Sequence, residues 1–261
     1  FALSFTGMAL FSTNTLMWNR ISQHPFPVKA YFDYSLVLTY AYPLQALQSL
    51  IPSCLELDTF QDKYAFIAVA MVQTRQLRPK GFPRWAGNNF FLAGYRIFVR
   101  YQSAKGRRLR GLYILRSETD KTKMCLLGNL FTNYKYSKIR VSANYESGQQ
   151  ARIQSPSTGM DITADLSLGD STPLAENSPF SSWKDARMFA GPMPFTFSVN
   201  SQEVVIVEGK RSQWQPQPVR IVEAKVPQLN QFSNTVPLLA NAFVTENIPY
   251  EWSRGRREPR R

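Results

Sequence analysis

Residues 64–72 are apolar at both sets of alternating positions. In a strand those two sets point to opposite sides, so such a strand is stable only when both faces are covered. That condition favours a closed or layered sheet. Further strand-like runs follow at short spacing, with turn signals between them. Tyr95, Ile97, Val99 and Tyr101 alternate with Arg96, Phe98 and Arg100. Lys105-Gly106-Arg107-Arg108 reads as a hairpin turn, and residues 112–116 as the returning strand. Residues 124–127, 139–145, 150–153, 161–167, 195–199, 203–208 and 219–226 read as further strands, and 168–179 as a surface loop. Helices are few. A short one follows Pro43, with Leu44, Leu47 and Leu50 on one face and Pro52 as its stop, and another is expected over 182–189. The pattern predicts a mainly β protein, an antiparallel barrel or sandwich with a few flanking helices.

Three segments are expected: an N-terminal arm over 1–27, a barrel domain over 28–250, and a basic disordered tail over 251–261 that holds five arginines. The apolar run before Arg20 is interrupted by Ser4, Thr6, Gly7, Ser12, Thr13, Asn14 and Thr15. It reads neither as a spanning helix nor as a signal peptide, so no transmembrane segment and a cytoplasmic location are expected.

The chain carries a net charge of +13, and residues 75–152 hold 17 Lys and Arg against 3 acids. The basicity belongs to that stretch, because the remainder is close to neutral. Aromatics interleave with the bases there, as on single-strand nucleic-acid surfaces. There is no RNP-like motif, however, and most of these aromatics fall at strand-core positions, so nucleic acid is not the expected partner. An anionic protein partner is the alternative for such a surface. Two cysteines and one histidine, His24, exclude a disulfide framework, Ser-His-Asp triads and multi-histidine metal sites. No dinucleotide, P-loop or CxxC motif occurs, and no cofactor or metal is expected. Asp58 and Asp62 read as turn-capping residues, Cys54 and Cys125 as small buried hydrophobes, and His24 as structural.

The segment 130–141 carries the most chemistry. Period 2 puts Tyr134, Tyr136, Lys138 and Arg140 on one face, and Lys135, Ser137, Ile139 and Val141 on the other. If the second face is the interior, the Lys135 amine is desolvated and becomes a candidate Schiff-base nucleophile. If the strand is flipped or bulged, Lys135 is one more exposed base.

These residues resemble a known superfamily. Residues 30–60, with Ala46-Leu47, Leu50-Ile-Pro52 and Leu55-Glu-Leu-Asp58, are similar to the opening of acetoacetate-decarboxylase-like proteins. The matching branch is the uncharacterised YqjF-like family (DUF2071). Leu77-Arg-Pro-Lys-Gly-Phe-Pro83, Tyr95-Arg-Ile-Phe-Val-Arg-Tyr101, Asn129-Leu-Phe131 and Trp214-Gln-Pro-Gln-Pro218 continue the match in order, over about residues 28–245. The resemblance implies a closed or nearly closed β-barrel with an interior cavity, and a homo-oligomer. It sets Lys135 at the nucleophile of the decarboxylases and Tyr136 where they carry the activating lysine. It sets Lys29 at their carboxylate-anchoring arginine and Leu92 near their cavity glutamate. Glu208 resembles an acidic position of the YqjF-like branch.

Three functions follow as expectations. One is a barrel that binds a small organic acid or polyketide-like molecule, with Arg96, Tyr134, Tyr136 and Glu208 at the ligand. The second is a Schiff-base lyase acting on β-keto acids through Lys135, with Lys29 on the carboxylate. The third is a non-enzymatic adaptor that docks an anionic partner on the 75–152 surface.

Overall fold

The computed structural model describes residues 23–191 and 193–260. The N-terminal arm expected over 1–27 therefore lies almost entirely outside the described residues. Fifteen strands follow in order: β1 Val28–Pro43, β2 Glu56–Leu57, β3 Tyr64–Pro79, β4 Asn88–Gln102, β5 Arg108–Thr119, β6 Tyr136–Lys138, β7 Ser142–Glu146, β8 Gln150–Ser155, β9 Met160–Asp165, β10 Phe195–Val199, β11 Glu203–Arg211, β12 Gln217–Pro218, β13 Arg220–Lys225, β14 Leu238–Trp252 and β15 Arg256–Pro259. Helix α1 spans Thr122–Phe131 and α2 spans Trp183–Phe189.

The main sheet runs β14-β1-β3-β4-β5-β10-β11 and closes on itself when β11 pairs back to β14. The closing seam is short, from Gly209 opposite Trp252 to Arg211 opposite Tyr250. The pairings along the path are antiparallel except that β10 runs parallel to β5. A smaller antiparallel sheet, β13-β9-β8-β7, forms a second layer.

This layering explains the doubly apolar run at the start of β3. Phe66, Ala68, Ala70 and Val72 face one cluster with Phe32, Val37 and Phe98. Ala65, Ile67, Val69 and Met71 face another, which includes Ile153 and Ile162 of the smaller sheet. Tyr34 of β1 stacks on Tyr145 of β7 with centroids 4.0 Å apart, locking the layers together.

Several expectations change. Residues 124–127 belong to a helix, because Met124, Leu127, Gly128 and Phe131 recur at i, i+3, i+4 and i+7, and a four-residue window cannot show that period. After Pro43 the chain makes two 3-10 turns, Leu44–Ala46 and Gln48–Leu50, around a fully buried Leu47. The tail is ordered: β15 extends the β11 ladder from Glu203 to Ile206. Its Glu258 is buried, accepts hydrogen bonds from the Tyr101 hydroxyl and the Ala104 amide, and pairs with Arg256. Asp58 is not a turn cap. It is 0% exposed and ion-paired to Arg100 at 2.5 Å and to Arg110. Helix α2 forms as expected, with the Ser182 hydroxyl accepting from the Asp185 amide. No helix among the described residues is long and apolar enough to cross a membrane.

Candidate functional site

Small residues on one face of β1 and β3 leave room between the closed sheet and α1. Ser35, Val37 and Thr39 of β1 and Ala68, Ala70 and Val72 of β3 line a cavity of about 280 Å³. The same strands carry bulkier Leu36, Leu38, Ile67, Val69 and Met71 on the opposite face. Helix α1 covers the cavity with Met124, Leu127, Gly128 and Phe131. Phe90 and Phe98 of β4 and Trp252 of β14 add apolar wall, as does Trp214 of the loop after β11.

Into this apolar space come two arginines. Arg96 leaves β4 where its register with β5 shifts, with Ala68 opposite on β3 and Ile114 on β5. Arg211 ends β11 at the seam, stacked 3.8 Å from the Trp214 ring centroid and 6.0 Å from that of Tyr250. Neither arginine has a carboxylate partner among the described residues. Burial pushes the Arg96 guanidinium below its ordinary value, against the pull of the Tyr250, Tyr136 and Tyr134 phenols. Burial also pushes Arg211 down, opposed by Tyr250 and aided by the like charge of Arg96. Arginine remains a cation through such shifts.

The phenols complete the polar set. Burial raises Tyr136 to about 12 and Tyr134 further, in both cases against the lowering field of Arg96. Both are hydrogen-bond donors at neutral pH. Tyr136 is held by its own backbone: its amide donates to Asn129 Oδ1 at 2.8 Å, and its carbonyl accepts from Asn129 Nδ2 at 2.9 Å. Gly128 is glycine because a Cβ there would occupy the Tyr136 ring. Gly209 likewise yields its side-chain space to the Tyr250 hydroxyl.

Buried polar atoms are normally hydrogen-bonded, so a group of orphans needs a reason. His24 Nδ1, Thr39 Oγ1, Thr74 Oγ1, Arg96 Nε, Tyr134 Oη, Arg211 Nη2 and Trp214 Nε1 are buried without a hydrogen-bond partner, and all seven residues line this one cavity. The lining includes Arg78 as well, and no aspartate, glutamate or lysine. Residues 1–22, 192 and 261, outside the description, contain no lysine or acid either. The cavity can therefore attract an anion, donate several hydrogen bonds to it, and cover an apolar body.

The residues singled out by sequence divide evenly. Arg96, Tyr134 and Tyr136 meet in the cavity. Lys135 does not: it is exposed, with φ at +53°, and its outward side chain corrects the nucleophile expectation. The alternation does not run through the segment: Tyr134 and Tyr136 turn to the cavity, while further on Ile139 is buried and Lys138 and Arg140 are exposed. Lys29 is half-exposed on β1 and pairs with Glu251 at 3.4 Å, so its charge is already answered away from the cavity. Glu208 is exposed on β11 and is not a cavity acid. His24 is buried beside Tyr134, and desolvation holds its imidazole at about 4, while the Phe26 and Ser253 backbones pull it upward. Arg211, Trp214, Tyr250 and Trp252 were missed. Cation and aromatics flank the seam, and their one sequence signal is an arginine ending a valine-rich run.

The chain matches the DUF2071 family of uncharacterized conserved proteins over residues 30–246. It belongs to that family. Solved structures share its fold. An acetoacetate decarboxylase-like enzyme from Sphingomonas wittichii RW1 superposes with a TM-score of 0.57 at 14% identity, covering 91% of this chain and 94% of that one. Acetoacetate decarboxylase from Legionella pneumophila superposes with a TM-score of 0.57 at 13% identity, covering 99% and 98%. The enduracididine biosynthesis enzyme MppR superposes with a TM-score of 0.53 at 9% identity, covering 90% and 88%. No curated protein matches the chain.

Proposed function

We propose that the cavity binds a small, partly apolar organic acid, of keto-acid or polyketide-like character, without decarboxylating it. The observation that carries this reading is the buried Arg96 guanidinium, which has no acid partner and faces a cavity with no carboxylate in its lining. A ligand carboxylate answers that charge, the Tyr134 and Tyr136 phenols donate to its oxygens, and the apolar walls take the rest of the molecule. One structure of MppR, a protein of the same fold, is a complex with pyruvate, a small acid of this class.

Chemistry argues against carbon dioxide loss. Decarboxylation leaves an electron pair on carbon, and a lysine Schiff base supplies the sink for it. No lysine lines the cavity, and Lys135 and Lys29 lie outside it. A guanidinium gripping the carboxylate stabilises the bound acid rather than its breakdown. Self-association belongs to the proposal as well, and sedimentation equilibrium giving the mass of a single chain would contradict it.

The test is calorimetry with pyruvate, acetoacetate and phenylpyruvate, each beside its primary amide. At least one acid is expected to bind and its amide to bind at least about 10-fold more weakly, as loss of a charged hydrogen bond implies. Borohydride added with acetoacetate is expected to leave the protein mass unchanged. Equal binding of acid and amide, or an adduct on a lysine, would overturn the reading.

A further inference from the structure

Arg78, Arg211 and Tyr250 line the cavity and also line an open surface groove of about 1010 Å³, so the two spaces meet at these side chains. Arg211 stands in the wall the two spaces share. Arg96 lines only the enclosed side. The groove is basic in a specific way. It is bordered by Lys29, Arg75, Arg78, Arg84, Lys210 and Arg211 against two acids, Asp33 and Glu251. Both acids are engaged, Asp33 by Arg75 at 2.6 Å and Glu251 by Lys29 and Lys80. Arg78 is fixed by neutral groups, donating to the Gln76 carbonyl at 2.8 Å and the Phe82 carbonyl at 3.1 Å, so its charge stays unanswered. Arg84 and Lys210 are exposed and have no acid partner among the described residues. The two adjoining spaces thus hold an unanswered cation, Arg96, and apolar walls on the cavity side, and unanswered cations on the groove side. Like charges gathered without partners repel one another and are stabilised by a ligand of opposite sign.

We propose that the ligand is a two-ended anion: a carboxylate held at Arg96 inside, an apolar body along the cavity walls, and a second anionic group that emerges past Arg211 to meet Arg78, Arg84 and Lys210. This rests on the reading that the cavity binds an organic acid, and it adds the chemistry of the other end. A single short acid answers one end only. The second group is a carboxylate or a phosphate-type anion, both of which arginine grips with paired hydrogen bonds.

The experiment uses the full chain, calorimetry at about 0.15 M salt, where long-range steering is screened, and three probes of matched length: octanoate, octanedioate and the ω-phosphonate analogue of octanoate. At least one two-ended probe is expected to bind about 3- to 5-fold tighter than octanoate. In the exposed double variant Arg84→Glu with Lys210→Glu, that advantage is expected to vanish while octanoate binds as before. A phosphonate preferred over the diacid assigns a phosphate-type second group, and the reverse assigns a carboxylate. Octanoate binding as tightly as both two-ended probes overturns this inference and leaves the organic-acid reading standing. So does a double variant that weakens all three probes equally, because the groove then acts only as a general field. Binding of none of the three overturns both.

Discussion

Arg96 and Arg110 are both arginines on the same sheet, yet they carry opposite expectations. Arg110 donates to Asp58 Oδ2 at 2.6 Å, and Asp58 is fully buried. Arg110→Met leaves that carboxylate with Arg100 alone and is expected to cost about 3 kcal/mol, read by urea denaturation. Arg96 has no partner to abandon. Arg96→Met removes a desolvated charge and is expected to raise stability by about 1 to 3 kcal/mol while acid binding is lost. A destabilised Arg96→Met would mean that the guanidinium holds the fold together instead. His24 adds a pH dependence. Between its ordinary 6.5 and about 4, the unfolded chain takes a proton that the buried imidazole refuses. Stability is therefore expected to fall as pH drops through that window, by roughly 3 kcal/mol at most. His24→Asn, which tolerates the positive φ of this residue, should flatten the slope in acid-range thermal melts. An unchanged slope would assign the acid sensitivity to other groups.

At the scale of elements, α1 and β6 act as one unit. The Asn129 clasp and the glycine at 128 place the Tyr136 ring over the cavity. In an ordinary helix Gly128→Ala would stabilise by about 0.5 to 1 kcal/mol. Here the new Cβ meets the Tyr136 ring, so a loss of about 1 to 3 kcal/mol is expected, with weaker ligand binding alongside. A higher melting temperature would show that the ring moves freely. The same segment shows why sequence left the face of Lys135 open. Alternation of Tyr134, Lys135 and Tyr136 is visible, but period 2 does not say which face is inward. Here a left-handed Lys135 just before a three-residue strand sets the phase. Strand β14 went unread for a related reason: Asn247, with positive φ, and Pro249 break its pattern, and long pairing with β1 makes it a strand all the same. The tail looked disordered because arginines dominate it. Of its two acids, Glu258 anchors it through contacts with residues far away in sequence. Removing residues 256–261 strips β11 of one of its ladder partners along Glu203–Ile206 and is expected to cost about 3 kcal/mol, read by denaturation. An unchanged midpoint would mean that β15 contributes nothing.

For the whole molecule, the doubly apolar run and the ordered set of family-like motifs were enough to foresee a mainly β, cavity-bearing fold. Charge was less legible. The 75–152 segment is strongly basic when counted alone, yet Arg75, Lys80, Arg100, Arg108 and Arg110 pair with Asp33, Glu251, Asp58 and Glu56, which the chain supplies from β1, β14, the β2 region and beyond. Net charge per segment is blind to such pairing. Of the cations in that segment that no acid reaches among the described residues, Arg78, Arg84 and Arg96 line the cavity or the groove beside it. Which distant residues would meet there depended on closure of the sheet at Gly209–Arg211, a seam of three residue pairs with little sequence signal. Trp214 and Trp252 stand in the cavity wall and report on its contents. The most direct test is a tryptophan-fluorescence titration with phenylpyruvate, run on the wild-type chain and on Arg96→Met. Saturable quenching that disappears in the variant is the expected result. Quenching of equal strength in both proteins would contradict an anion site at Arg96.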